Sequence, residues 1–155
     1  MKTLILYKTK YGSTKEYAQW FSEDSGARDM LSLKEFHQAN LEDFDHIVIF
    51  SSVYVGQISA GSFLKKHWEQ LKDKKIVLLS VGAMPADATE SQKSYEVLPQ
   101  AIREHLFYYE KLPGKLDLNK MNFLDRFIIK KLGGEQLNLM DRSLLKPIVE
   151  KLQQG

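Results

Sequence analysis

The 155-residue sequence contains no cysteine, so it has neither a disulfide framework nor a reactive thiolate, and any redox role must reside in a bound cofactor. That usage suits a reducing cytoplasm. No apolar run reaches the ~18 residues of a membrane span, and the opening MKTLILYK is too short for a signal peptide. A cytoplasmic protein is therefore expected. Four prolines and nine glycines are spread thinly, with no linker, repeat or low-complexity tract between them, so one domain over residues 1–155 is expected. The 22 basic residues barely exceed the 20 acidic ones, giving a net charge of +2, too even a balance for a nucleic-acid partner. His37, His46, His67 and His105 form no HxxH or HxxxH pair, so no metal is expected. There is no G-x-S-x-G elbow, which weakens a hydrolase. Glu35, Glu42, Asp43 and Asp45 read as a solvated connection.

What is present is an alternation of strand and helix patterns. Residues 3–7, 27–33, 46–52, 75–81 and 106–112 read as strands, and HIVIFSS and KIVLLSV have the continuous apolar character of strands buried on both faces. Between them lie helical periodicities over 13–24 (Tyr17, Trp20, Phe21), around Phe63, Leu64, Trp68 and Leu71, and over 92–106, where Pro99 interrupts. A closing helix over 141–152 is expected, capped by Asp141, with Pro147 kinking it or marking a late start. Such alternation implies right-handed βαβ crossovers, hence an α/β fold on a parallel sheet.

The first strand runs directly into YKTKYGSTKEYA, residues 7–18. In an open parallel sheet, ligands bind beyond the carboxyl ends of the strands where the winding reverses. A helix starting near Ser13 leaves its first N–H groups open and adds partial positive charge. Thr9, Ser13 and Thr14 add hydroxyls and Gly12 lets the backbone curl, which suits a phosphate; simple capping by Ser13 or Thr9 is the plainer account. G-x-x-x-x-G-K-[ST] and G-x-G-x-x-G are both missing, which leaves a ligand with one phosphate.

Tyr7, Thr9, Gly12, Thr14 and Ala18 have the spacing of the flavodoxin-type signature, and the sequence resembles that family. The resemblance implies a doubly wound five-stranded sheet of order 2-1-3-4-5 and a bound FMN, its phosphate held by Thr9, Lys10, Tyr11, Gly12, Ser13 and Thr14. Two further loops would then wall the flavin ring: Val53, Tyr54, Val55 and Gly56 after the third strand, and Val81, Gly82, Ala83 and Met84 after the fourth. Tyr54 is placed to stack, unless it is an ordinary strand-end tyrosine. Within this group the opening TLIL, the SxxxG of Ser52 to Gly56, Ser80–Val81 and above all DRFIIKKLGGEQ at 125–136 are similar to the menaquinone-dependent protoporphyrinogen dehydrogenase family. That resemblance implies an FMN-dependent oxidoreductase with a quinone acceptor and a hydrophobic substrate. The stretches 85–95 and immediately before Asp125 lack the aromatic- and arginine-rich character of that family.

About 25 residues between the last strand and the last helix are too long and too patterned for a plain connection. Met121, Leu124, Ile128 and Leu132, joined by Phe123 and Phe127, form an apolar helical face, with Lys120, Arg126, Lys130 and Lys131 mostly off it. From 111 to 131, six basic residues (also Lys111 and Lys115) face only Asp117 and Asp125. This inserted basic amphipathic segment suits peripheral membrane contact through residues 120–132, a partner groove, the mouth of a hydrophobic site, or packing on its own domain. Two rival functions fit the same residues: an electron-transfer flavodoxin without substrate turnover, and a docking module with a vestigial flavin site. No acid/base residue is assigned.

Overall fold

Strands that bury both faces cannot carry charge in their centres, and three such runs form the middle of the computed structural model, which describes residues 1–155 other than 55, 85 and 132. The strands are β1 (Thr3–Lys8), β2 (Asp29–Ser32), β3 (His46–Tyr54), β4 (Gln57–Ile58), β5 (Lys75–Gly82), β6 (Tyr108–Pro113), β7 (Lys115–Leu116) and β8 (Leu137–Asn138). The helices are α1 (Ser13–Ser25), α2 (Gly61–Leu71), α3 (Thr89–Glu96), α4 (Gln100–His105), α5 (Phe123–Lys131) and α6 (Lys146–Gln154). The main sheet runs β2-β1-β3-β5-β6, every neighbouring pair parallel. This is the expected 2-1-3-4-5 winding; the two-residue β4, antiparallel to the end of β3, accounts for the shifted labels.

Alternation of side chains along the strands divides the core in two. Leu4, Leu6, Ile47, Ile49, Ile76 and Leu78 meet Leu64 and Leu71 of α2 and Ile102 of α4, while Ile5, Val48, Phe50, Val77 and Leu79 meet Tyr17 and Phe21 of α1 and Ile148 and Leu152 of α6. The Phe21 and Phe50 rings lie 5.7 Å apart. Truncating such a side chain to alanine costs roughly 3–5 kcal/mol, because the close-packed layer only partly collapses into the void.

Proline decides where the helices break. The helical pattern over 92–106, expected to be interrupted at Pro99, folds as two helices, α3 and α4, with Pro99 in extended backbone (ψ 139) opening the second, since proline has no N–H to continue the ladder. Asp141 does cap, but it caps a 3-10 turn over Arg142–Leu145, accepting from the Ser143 N–H at 2.9 Å. Pro147 sits in the first turn of α6, which therefore starts late, at Lys146.

The segment between β6 and that 3-10 turn folds as a short antiparallel ribbon, Lys115 opposite Asn138 and Leu116 opposite Leu137, carrying α5 on its far side. Tyr17 anchors both of its ends. Its buried hydroxyl donates to the Pro113 carbonyl at 2.5 Å and accepts from the Asp141 N–H at 3.1 Å. Among the described residues no helix is long and apolar enough to cross a membrane.

Candidate functional site

β1 lies between β2 and β3, so the chain leaves it to one side and returns on the other, and the carboxyl ends of β1 and β3 open a crevice. The loop after β1 enters α1 through Gly12, whose φ of 99° lies in the left-handed region. Glycine occupies it without the Cβ clash other residues suffer there. No side chain caps α1. Thr9 instead turns its hydroxyl inward, where Oγ1 accepts from the Gly12 N–H at 3.0 Å. The plainer expectation of a capped helix is therefore not met; the first-turn N–H groups of α1 stay open toward an anion.

A carboxylate from the insert is brought to this loop. Asp125 on α5 is 2% exposed, and it accepts hydrogen bonds from the Tyr11 hydroxyl on one oxygen and the Tyr54 hydroxyl on the other. Lys10 Nζ lies 2.9 Å from the same carboxylate and 3.5 Å from the centre of the Tyr54 ring. Burial pushes the Asp125 carboxyl up, but the hydrogen bonds from Tyr11, Tyr54 and Lys10 outweigh it and hold the group at about 2. The hydrogen bond to Asp125 raises Lys10, and burial, followed by that carboxylate, raises Tyr11. Asn122 positions the helix for this: its Oδ1 accepts the Asp125 N–H at 2.8 Å, satisfying one of the open donors at the start of α5. Lys115 of the ribbon adds a 3.0 Å ion pair to Glu16 on α1.

Of the residues expected to form the site, Lys10, Tyr11, Ser13, Thr14, Val53, Tyr54, Val81, Gly82 and Ala83 line one cleft of about 90 Å³, roofed by Met121, Asp125 and Ile129 of the insert. Thr9 and Gly12 shape the loop beside it. Gly56 stands in the β3–β4 turn with φ 72°. Met84 is half exposed and lies outside the cleft lining, and Val55 lies outside the described residues. Asp125 and Ile129 of α5, with Met121 just ahead of the helix, face the cleft, so the expected apolar face is only partly right: Met121 points in, whereas Phe123, Leu124 and Phe127 are 85%, 63% and 56% exposed, and Leu132 lies outside the described residues. Asp125, Lys111 and Lys115 were not among the expected site residues and entered only the charge balance of residues 111–131. The 121–125–129 spacing, i, i+4, i+8, was the available signal.

The phosphate end of this arrangement fits the FMN that the sequence resemblance implies: an uncapped helix start, a left-handed glycine and a lysine at its flank. The ring end is narrower. About 90 Å³ between Val53–Tyr54 and Gly82–Ala83 falls below the roughly 300–1,000 Å³ of pockets for drug-sized ligands. The roof of α5 would have to lift for a ring to enter.

The parallel 2-1-3 winding, the phosphate-type loop and the crevice above it define a flavodoxin-like α/β domain. Residues 4–137 match the flavodoxin domain family, and the chain belongs to it. Among curated proteins, protoporphyrinogen IX dehydrogenase [quinone] of Escherichia coli (strain K12) is 28% identical, covering 87% of this chain and 82% of its own. Solved structures share the fold. The Trp repressor binding protein from Bacillus subtilis superposes with a TM-score of 0.56 at 12% identity, over 90% of this chain and 100% of its own. A flavoprotein in complex with FMN from Lactobacillus acidophilus NCFM gives 0.52 at 16% identity, over 71% and 92%.

Proposed function

We propose that this chain is an FMN-dependent oxidoreductase that oxidises a hydrophobic, porphyrinogen-class substrate and delivers the electrons to a quinone. The observation that carries the flavin is the start of α1: left-handed Gly12, no side-chain cap, and Lys10 lining the same cleft as Ser13 and Thr14. Bound FMN supplies the electron-accepting chemistry, for which a chain without cysteine has no group of its own. Residues 9–14 hold the phosphate. Once the α5 roof lifts, Tyr54 and Val53 on one side and Gly82 and Ala83 on the other would wall the ring, and Met121 and Ile129 would limit the access of water to it.

The substrate class rests on the 28% identity to the Escherichia coli protein and on the DRF-to-GG segment, whose Asp125 reaches the site itself. We infer in addition that the outer face of α5 lies against an anionic bilayer. Phe123, Leu124 and Phe127 project outward there, flanked by exposed Lys120, Lys130 and Lys131, an apolar face with a basic rim of the kind that binds anionic lipid surfaces. Membrane-dissolved substrate and acceptor would then meet the flavin at that face.

The test is anaerobic turnover by the FMN-loaded protein. Protoporphyrinogen IX and a soluble menaquinone analogue are supplied and the appearance of porphyrin fluorescence is followed. Formation of porphyrin that needs both FMN and quinone supports the proposal. Flavin that is reduced and reoxidised by an electron-transfer partner but never by quinone refutes it in favour of a shuttle.

A further inference from the structure

Lys111 of β6 is the one buried lysine among the described residues, 8% exposed. It lies opposite Ser80 in the parallel register with β5. Its ammonium donates to the Met84 carbonyl at 2.9 Å and to Ser91 Oγ at 3.1 Å, and among the described residues no carboxylate stands within ion-pair distance of it. A charge taken out of water is costly unless its partners repay it. Here the partners are neutral oxygens, and burial accordingly pulls the Lys111 amine below its ordinary value.

The position of this cation gives it a use. A Cβ on Gly82 would stand 3.3 Å from Lys111 Cε and 3.4 Å from Nζ, so the end of the lysine lies beside Gly82, which with Ala83 lines the cleft, and reaches it from a separate small cavity that Lys111 shares with Ser91, Tyr95, Glu96 and Tyr109. An unneutralised positive charge in a low-dielectric setting acts over longer distances than one at the surface. A flavin gains electrons on reduction and binds more tightly wherever the protein presents positive potential to the reduced form.

We propose that Lys111 is a positioning residue of the flavin site, one that fixes the 82–84 loop through the Met84 carbonyl and places a buried positive charge behind it, so that reduced FMN is held more tightly than oxidised FMN. This rests on the FMN assignment above.

The experiment compares the wild-type protein with Lys111→Met, Lys111→Gln and Lys111→Arg, measuring dissociation constants for oxidised FMN by fluorescence titration and midpoint potentials of the bound flavin. Glutamine keeps a donor for the Met84 carbonyl without the charge, and so guards against a methionine variant that does not fold. The expected result is a loss of about tenfold in the preference for reduced over oxidised FMN in the methionine and glutamine variants, about 30 mV for a two-electron couple. Arginine should restore most of it. Unchanged potentials in folded, FMN-binding methionine or glutamine variants overturn the proposal and leave the FMN assignment standing. Failure of the wild-type protein to bind FMN overturns both.

Discussion

Asp125→Asn keeps the side chain's size and one carbonyl acceptor while removing the charge that joins the insert to the phosphate-type loop. A carboxyl held at about 2 against its ordinary 3.8 is favoured as the anion by about 2 kcal/mol, at roughly 1.4 kcal/mol per pKa unit. The Lys10 side chain that pairs with it is 37% exposed, so solvent screening trims the loss to about 1–2 kcal/mol. In a chain of this size that lowers Tm by about 2–8 °C. The sign with pH follows from the folded-state value lying below the unfolded one. The stabilisation is complete above about pH 4 and is lost as pH falls toward 2, so urea melts of variant and wild type should differ at pH 7 and converge over that acid window. The same clasp holds the roof over the 90 Å³ cleft. Weakening it by 1–2 kcal/mol should raise the open population, and hence the rate of FMN association in stopped-flow, by about 5–30-fold. An asparagine variant as stable as wild type at pH 7, associating with FMN no faster, would refute the clasp.

His46, at the start of β3, is 2% exposed, and its Nε2 has no hydrogen-bond partner among the described residues. Burial, then the nearby Lys75, lowers its pKa below the ordinary 6.5, against an opposing pull from Asp45. The unfolded chain therefore binds the extra proton first, and stability should be level above about pH 6.5 and fall as pH drops below it. His46→Leu should remove that part of the slope in urea melts between pH 8 and 5; an unaltered slope contradicts the assignment. On vesicles containing phosphatidylglycerol, Phe123→Glu with Phe127→Glu should abolish flotation that the wild-type protein shows and that raised salt weakens, and equal flotation of the two would exclude α5 as the docking face.

The strands were legible because burial on both faces leaves a mark in the sequence itself: HIVIFSS carries no carboxylate or ammonium and KIVLLSV only Lys75 at its exposed first position, and the two became β3 and β5. The phosphate-type loop was legible because its residues are contiguous. Pro99 announced the interruption, and Ile102 beyond it, which packs with the α2 face of the sheet, the helix that resumes. The clasp was harder to see. Asp125 meets Tyr11 across 114 residues and Lys111 meets Met84 across 27, and nothing local distinguishes a buried charge from a solvated one. Both entered only a local charge balance, whereas the fold turns each toward neutral or opposite partners inside.

The β7–β8 ribbon makes the insert an excursion that leaves and returns at one place, since Lys115 stands opposite Asn138, about 5 Å away across a strand pair. Residues 117–136 could accordingly be cut out and the gap spanned by a tight hairpin turn without redirecting the chain on either side. The headpiece is thus a cassette in its backbone path, joined to the scaffold at one hinge-like pair of strands and fastened at its far end by the side chain of Asp125.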